Sequence, residues 1–178
     1  MMRTNKSVLL LAMCLCGCNP FAPELEETST LDNVITDQQS PKEVLQNFKY
    51  AYTFKDSLLY SELLAKSFVF EFFDPNQEPV GGFKTWGRDV DLRATGRMFR
   101  EFEVIELVWL DTLSSNTQTI PQNTGEPRVI ELRRMRFNLN LLGSDFNYIL
   151  NGTAAFSFEQ DAEDAKWRII RWRDDSDL

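Results

Sequence analysis

The spacing of apolar residues predicts three helices within residues 41–100. The run Ser40-Pro41-Lys42-Glu43 has the form of a capping box with proline at the first helical position, so we expect a helix to begin there. Apolar residues then recur at helical spacing and form one stripe: Val44, Leu45, Phe48 and Tyr52. A second, short helix is predicted from about residue 56, and a third over about residues 86–100. The core stripe of the third helix is expected to be Val90, Ala94 and Met98.

Runs of apolar residues that alternate with polar ones predict strands. In chain order the predicted strands are residues 68–73, 102–111, 128–142, 146–159 and 167–172. Residues 81–82 and the polar stretch 112–127 are assigned to loops. The parity of apolar positions changes within 128–142, which predicts a β-bulge near Arg133 and Arg134. The pattern therefore predicts an α+β fold with three N-terminal helices packed on a curved, mostly antiparallel sheet.

The first eighteen residues have the pattern of an export signal. Arg3 and Lys6 precede an apolar run over residues 8–16, which is too short to span a bilayer. The end of this run, Leu15-Cys16-Gly17-Cys18, resembles the lipobox of bacterial lipoproteins, although Cys16 stands where Ala or Ser is more usual. That resemblance implies that residues 1–17 are removed and that Cys18 is lipidated, which anchors the protein to a membrane.

Two alternatives for this segment remain open. An ordinary cleaved signal would release a soluble periplasmic protein. Cys14, Cys16 and Cys18 could instead form a metal clip, although their setting is apolar. If Cys18 is lipidated, Asn19 favours the outer membrane facing the periplasm, because an Asp at that position would suggest retention in the inner membrane.

The acidic residues concentrate outside the predicted domain. The net charge is −8, and residues 18–40 contain acids but no Lys or Arg, which is typical of a flexible tether. Residues 41–173 form the predicted domain, which is nearly neutral, and residues 174–178 form an acidic tail. The charge argues against a nucleic-acid partner. The chain contains no histidine, which excludes His-based triads and His-ligated metals.

The order of the predicted elements resembles that of the NTF2-like (SnoaL-like) superfamily. The capped helix at Ser40-Pro41-Lys42-Glu43-Val44-Leu45 and the leucine pair Leu63-Leu64 before a Phe-x-Phe strand match its opening. The run Lys166-Trp167-Arg168-Ile169 is similar to its final strand. This resemblance implies a conical pocket between the sheet and the helices, and often a dimer through the convex sheet face. It implies no single activity.

Three residues are candidates for lining such a pocket. Glu106 shares a strand face with Val104 and Val108, so its carboxylate would point inward and could act as a general base or ligand anchor. The alternative is a structural ion pair with an arginine of the next strand, Arg133 or Arg134. Tyr148 is expected on the inward face, either in the pocket or in the core with its hydroxyl at the rim. Trp86 could line the pocket mouth or serve only in packing.

The opposite face of the same strand carries three candidate interface residues: Ile105, Leu107 and Trp109. They predict an apolar surface for a homodimer or for an envelope protein partner. The alternative is that the 112–127 loop covers them. A separate group of arginines could form an anion site, or could simply be solvated and paired with acids: Arg133, Arg134, Arg136, Arg168, Arg171 and Arg173.

These observations predict a membrane-anchored envelope lipoprotein that acts without catalysis, by binding a small apolar ligand or a protein partner. No cofactor and no metal site are expected, because the sequence contains no phosphate loop, dinucleotide fingerprint or EF-hand loop. The alternative is a cofactor-free isomerase- or hydrolase-like enzyme whose base is a buried carboxylate, Glu106.

Overall fold

The computed structural model describes residues 35–76, 81–123 and 125–175. The helices are α1 (Pro41–Phe54), α2 (Ser57–Leu63) and α3 (Arg88–Glu101). The strands are β1 (Leu64–Asp74), β2 (Gly82–Gly87), β3 (Val104–Ile120), β4 (Arg128–Leu142), β5 (Asn147–Gln160) and β6 (Trp167–Asp174). The export signal, Cys18 and the tether as far as residue 34 lie outside the described residues, as do residues 176–178. Within the described residues no helix is long and apolar enough to cross a membrane.

The first two helices begin where local capping chemistry places them. The Ser40 hydroxyl accepts a hydrogen bond from the backbone N–H of Glu43 at 3.3 Å, which confirms the predicted start of α1. The Asp56 carboxylate caps α2 by accepting from the backbone N–H groups of Leu58 at 3.0 Å and Leu59 at 2.9 Å. Both helix starts are therefore set by side chains close in sequence.

All six strands form one sheet in the order β2-β1-β6-β5-β4-β3, and only β1 and β6 pair in parallel. The α+β class and the mostly antiparallel sheet are confirmed. The prediction of three N-terminal helices is wrong, because α3 follows the β1–β2 hairpin. The strand β2 was predicted as a loop, since an exposed edge strand that depends on pairing with β1 has little apolar periodicity of its own.

The strands β3 and β4 pair over most of their length, and this ribbon differs from the prediction in two ways. The stretch 112–120 belongs to β3 and was wrongly assigned to a loop, because most of its side chains are polar and all are exposed, so neither face shows an apolar alternation. The bulges lie in β3, between Trp109 and Asp111 and between Thr112 and Ser114, whereas the pairing of β4 with β5 is unbroken. The predicted bulge in β4 is therefore wrong, although its position lies opposite the real ones.

The helices cover one face of the sheet, here called the inner face, and the core lies between them. Its largest fully buried side chains come from both layers: Phe48, Tyr60, Phe68, Phe156 and Phe158. The residues just before α1 also pack on the domain. Gln38 is 2% exposed, and its backbone carbonyl accepts from the Trp167 N–H at 2.8 Å. The folded body thus begins before residue 41.

Candidate functional site

The two faces of β3 are the reverse of the prediction. Ile105 is fully buried and Leu107 nearly so, whereas Glu106 between them is exposed on the outer face of the sheet. Trp109 lies under α1, where its indole N–H donates to the Leu45 carbonyl at 3.0 Å. The proposed interface formed by Ile105, Leu107 and Trp109 is therefore wrong. Both faces of β3 carry apolar residues, so the alternation of the sequence could not tell which face is buried, and the prediction placed the wrong face in the core.

Glu106 does not have either of its predicted roles. Its carboxylate accepts a hydrogen bond from the Asn140 side chain at 3.4 Å in an exposed position. The arginines suggested as its partners pair elsewhere, Arg133 with Glu131 and Arg134 with Asp175. The outer face around Glu106 also exposes the apolar residues Val104, Val108 and Ile149.

Tyr148 and Trp86 lie at the margins of the core. Tyr148 is about half exposed, and its ring contacts Phe102 edge-on and Phe146 at a tilt, at the rim of the inner face. Trp86 belongs to β2 and not to a helix. Its ring stacks on Phe70, with centroids 4.6 Å apart. Tyr148 therefore lies at the rim, neither in the apolar cavity nor buried in the core, and Trp86 packs in an aromatic cluster.

Among the described residues the most deeply buried carboxylate is Asp91, on α3. Asp91 is 3% exposed and accepts hydrogen bonds from the Tyr60 hydroxyl at 2.6 Å and from the Trp86 indole N–H at 3.0 Å. Burial raises the pKa of Asp91, while these two hydrogen bonds act in the opposite direction. Burial also raises the pKa of Tyr60 well above its usual value, so its hydroxyl stays protonated and donates.

Sequence reasoning missed Asp91 because it placed the buried face of α3 one residue away. The predicted stripe was Val90, Ala94 and Met98, but the buried residues are Asp91, Thr95 and Phe99. Two of these three are polar, so a search for apolar spacing passes over them. The acidic residue at helical spacing from Thr95 was visible in the sequence, but nothing local marked it as buried.

An apolar cavity of about 70 Å³ opens between α1 and the inner face of the sheet. Its lining includes Phe48, Tyr52, Leu107, Trp109, Leu150 and Trp172. Its one side-chain hydroxyl belongs to Tyr52, whose pKa is raised by burial and by the nearby Asp91 charge. The Trp172 indole nitrogen is buried without a hydrogen-bond partner. Asp91 is not among the lining residues, and the predicted pocket residues Glu106, Tyr148 and Trp86 are not either.

The cavity is lined by apolar side chains and by one hydroxyl group. Its walls are aromatic and aliphatic, and the Tyr52 hydroxyl is a poor proton acceptor or donor near neutral pH because it stays protonated. The described residues also contain no group of three or more acids or cysteines arranged to hold a metal ion. The arrangement suits the burial of apolar ligand surface.

Comparisons with known proteins bear on the fold. No family model matches the chain, and no curated protein matches it. Solved structures do match. An NTF2-like superfamily protein from Salmonella enterica has 13% identity over 76% of this chain and 87% of its own, with a TM-score of 0.54. The fold is NTF2-like.

Two further matching structures have similar statistics. A candidate dehydratase of the NTF2-like family from Streptomyces avermitilis has 16% identity, covers 76% of this chain and 92% of its own, and has a TM-score of 0.51. A candidate aromatic ring hydroxylase from Novosphingobium aromaticivorans has 12% identity over 80% of this chain and 90% of its own, with a TM-score of 0.55. At these identities the similarity shows the NTF2-like fold and not an activity.

Proposed function

We propose that this protein is a membrane-anchored envelope lipoprotein whose NTF2-like domain binds a small apolar ligand and does not catalyse a reaction on it. The observation that carries the binding role is the apolar cavity beside α1, which offers aromatic and aliphatic walls and no titrating acid or base. The lipobox-like run ending at Cys18 supports the anchor.

The volume of the cavity limits the ligand. A cavity of roughly 150 Å³ lined by Leu, Ile and Phe holds benzene, and the cavity here is about 70 Å³. It therefore suits a short alkyl segment, with the remainder of the ligand at its open mouth. Each buried methylene contributes about 0.8 kcal/mol, so affinity should rise about fourfold per added methylene until the cavity is full.

A series of linear alcohols of increasing chain length tests this proposal. We expect binding, followed by the fluorescence of Trp109 and Trp172, to strengthen with each methylene and then to level off. Leu150 is half-buried in the cavity wall, so its substitution changes the volume with little disturbance of the core. Leu150→Phe should weaken binding, and the matched variant Leu150→Ala should move the plateau to longer alcohols. Failure of every alcohol to bind would refute the proposal that this cavity binds an apolar ligand.

The anchor is tested separately by Cys18→Ser. If Cys18 is lipidated, this substitution releases the protein from the membrane fraction without changing alcohol binding. Retention in the membrane after the substitution would contradict anchoring through this residue.

One observation favours a second function, a cofactor-free isomerase- or hydrolase-like enzyme. Asp91 is a buried acid with a raised pKa, which is a common property of a catalytic carboxyl group. Against this reading, both of its oxygens already accept hydrogen bonds, from Tyr60 and Trp86. An Asp91→Asn variant that binds alcohols normally but loses turnover of a bound ester or ketone would support the enzyme over the binding module.

A further inference from the structure

A shallow basin lies on the outer face of the sheet, opposite the apolar cavity. Its floor is made of small side chains from the central strand β5, Ala155 and Ser157. The pairing register places Ala155 directly between Arg134 of β4 and Arg173 of β6. Neighbouring strands lie about 4.8 Å apart, so these two arginines flank the Ala155 methyl group at roughly 10 Å between their Cα atoms. The basin has a volume of about 610 Å³.

A third arginine completes the wall. Arg171 pairs with Ser157 in the next row of the register, on the same face as Arg173. Ser114 of β3 pairs with Arg134 and also borders the basin. Two hydroxyl groups and these three guanidinium groups lie around the small side chains of the floor, and Leu132, which pairs with Ser157, borders the basin as well.

The charges around the basin do not cancel. Among the described residues that contact these three arginines, the carboxylates are Glu71, which pairs with Arg171, and Asp175, which pairs with both Arg173 and Arg134. Successive residues of a strand point to opposite faces, so Asp174 lies on the inner face, where its charge helps to raise the pKa of Tyr52. The three arginines therefore share two carboxylates, which leaves one positive charge in surplus.

The surplus positive charge faces the solvent. The side chains of Glu71 and Asp175 are 11% and 14% exposed, whereas those of the three arginines are 42–54% exposed. The acids lie at the base of the wall and leave guanidinium N–H groups directed outward. A guanidinium group has five N–H donors, so an arginine that already pairs with one of these acids can still donate hydrogen bonds to a further anion.

Two of the arginines are held in place before any ligand arrives. The Arg173 guanidinium donates to both Asp175 oxygens, at 2.8 and 3.0 Å, and lies 5.6 Å above the centre of the Phe83 ring. The Arg171 Nε donates to Glu71 at 2.8 Å. Guanidinium groups fixed in this way lose less conformational freedom on binding and can contact two oxygens of an anion at once.

We propose that this arginine basin, formed by Arg134, Arg171 and Arg173 over Ala155 and Ser157, binds a phosphate group. The phosphate would lie over Ala155 between the guanidinium groups, where its negative charge more than offsets the single surplus positive charge. The phosphate is either free or part of a lipid headgroup. The site is on the opposite face from the apolar cavity, so the proposal does not depend on the ligand proposed there.

Filling the floor tests the site without changing any charge. The full-length chain carrying Cys18→Ser is titrated with inorganic phosphate at constant ionic strength, and amide shifts of β4–β6 are followed by NMR. Ala155→Leu should weaken phosphate binding by about tenfold or more because the side chain occupies the phosphate position. Thr153→Leu is the matched control, since Thr153 has the same strand and face but lies beside Arg136. Equal effects of the two variants would overturn the proposal.

Removing a charge gives the second test. Arg134→Gln deletes the arginine with the weakest ion pair, a single contact at 3.4 Å, so the fold should tolerate it. Its matched control is Arg136→Gln, which removes the same charge two residues away, where Asp111 already neutralises it. We expect a loss of about tenfold for Arg134→Gln and less than about twofold for the control. Equal losses would mean attraction by net charge alone and would overturn the proposal.

Vesicles distinguish the two sources of phosphate. Phosphatidylcholine vesicles with and without phosphatidic acid are mixed with the same chain and with Ala155→Leu. Binding of phosphatidic acid vesicles that Ala155→Leu abolishes, with no response to inorganic phosphate, would identify a lipid headgroup. Response to inorganic phosphate without vesicle binding would identify a free phosphate. Absence of both would overturn the proposal.

Discussion

The Asn47 side chain brackets the backbone of Thr36. Its Oδ1 accepts from the Thr36 N–H at 2.8 Å, and its Nδ2 donates to the Thr36 carbonyl at 2.9 Å. The Thr36 hydroxyl adds a third contact, to the same Oδ1 at 3.1 Å. Asn47 is fully buried in α1, so this pair joins the segment before the helix to the core. The boundary of the folded domain therefore lies before Thr36 or at it, and not at the start of α1.

Replacing Asn47 tests this boundary. Asn47→Ala leaves the backbone polar groups of Thr36 without partners, so we expect the free energy of unfolding to fall by about 2 kcal/mol. Amide exchange at residues 35–39 should also accelerate. The measurement is urea unfolding combined with hydrogen exchange. Gln39→Ala, an exposed substitution in the same segment, should change stability by less than about 0.5 kcal/mol, and an equal loss in both variants would contradict the assigned role of Asn47.

The buried acid Asp91 should make stability depend on pH. Because burial raises its pKa, the folded protein keeps this proton over a pH range in which the unfolded chain has released it. The resulting stabilisation is complete below the unfolded pKa near 3.8 and is lost as the pH rises through the folded pKa. Relative to Asp91→Asn, the wild-type protein should therefore become less stable as the pH rises from about 4 towards neutrality.

Urea unfolding of both proteins across this pH range measures the difference. The exposed acid Asp89 lies on the same helix, and Asp89→Asn is the matched control for the loss of one carboxylate from α3. A wild-type minus Asp91→Asn difference that stays constant with pH, or that grows as the pH rises, would contradict a raised pKa of Asp91.

The sequence predicts a structural feature well when the residues that determine it are close together along the chain. The starts of α1 and α2 depend on Ser40 and Asp56, which bond to backbone groups two or three residues away, so the pattern alone locates them. The buried faces of β3 and α3 depend on which element packs against them. Val104 and Ile105 are equally apolar, and only the position of α1 decides which one is buried.

The same limit applies to the candidate site. The apolar cavity combines residues from α1 with residues of β3, β5 and β6, and the predicted interface residues Leu107 and Trp109 turned out to line it. Their aromatic and aliphatic character was visible in the sequence. Leu107 and Trp109 line the same cavity as Phe48 because of the curvature of the sheet and the bulges in β3, which no local pattern encodes.

An exposed ion pair near the β5–β6 turn offers a direct check on electrostatics. The Arg168 guanidinium donates to both oxygens of Asp164, at 2.9 and 2.6 Å, and this hydrogen bonding is the main cause that lowers the pKa of Asp164 to about 2. In Arg168→Gln the pKa of Asp164 should rise part of the way to 3.8, because the backbone N–H of Lys166 still donates to it. Carboxyl carbon shifts followed through a pH titration measure this change. An unaltered Asp164 pKa would mean that the pair does not form in solution.

Two neighbouring aliphatic residues decide which face of β3 is inside. Ile105 is fully buried against the helices, whereas Val104 is 44% exposed on the outer face. Ile105→Ala removes packed methyl groups and leaves a cavity, so it should reduce the free energy of unfolding by about 3 kcal/mol. Val104→Ala should cost less than about 1 kcal/mol, because much of its side chain is already in water. If the residues that share a strand face with Glu106 pointed to the core, as the alternation of the sequence suggested, the order of these two losses in urea unfolding would be reversed.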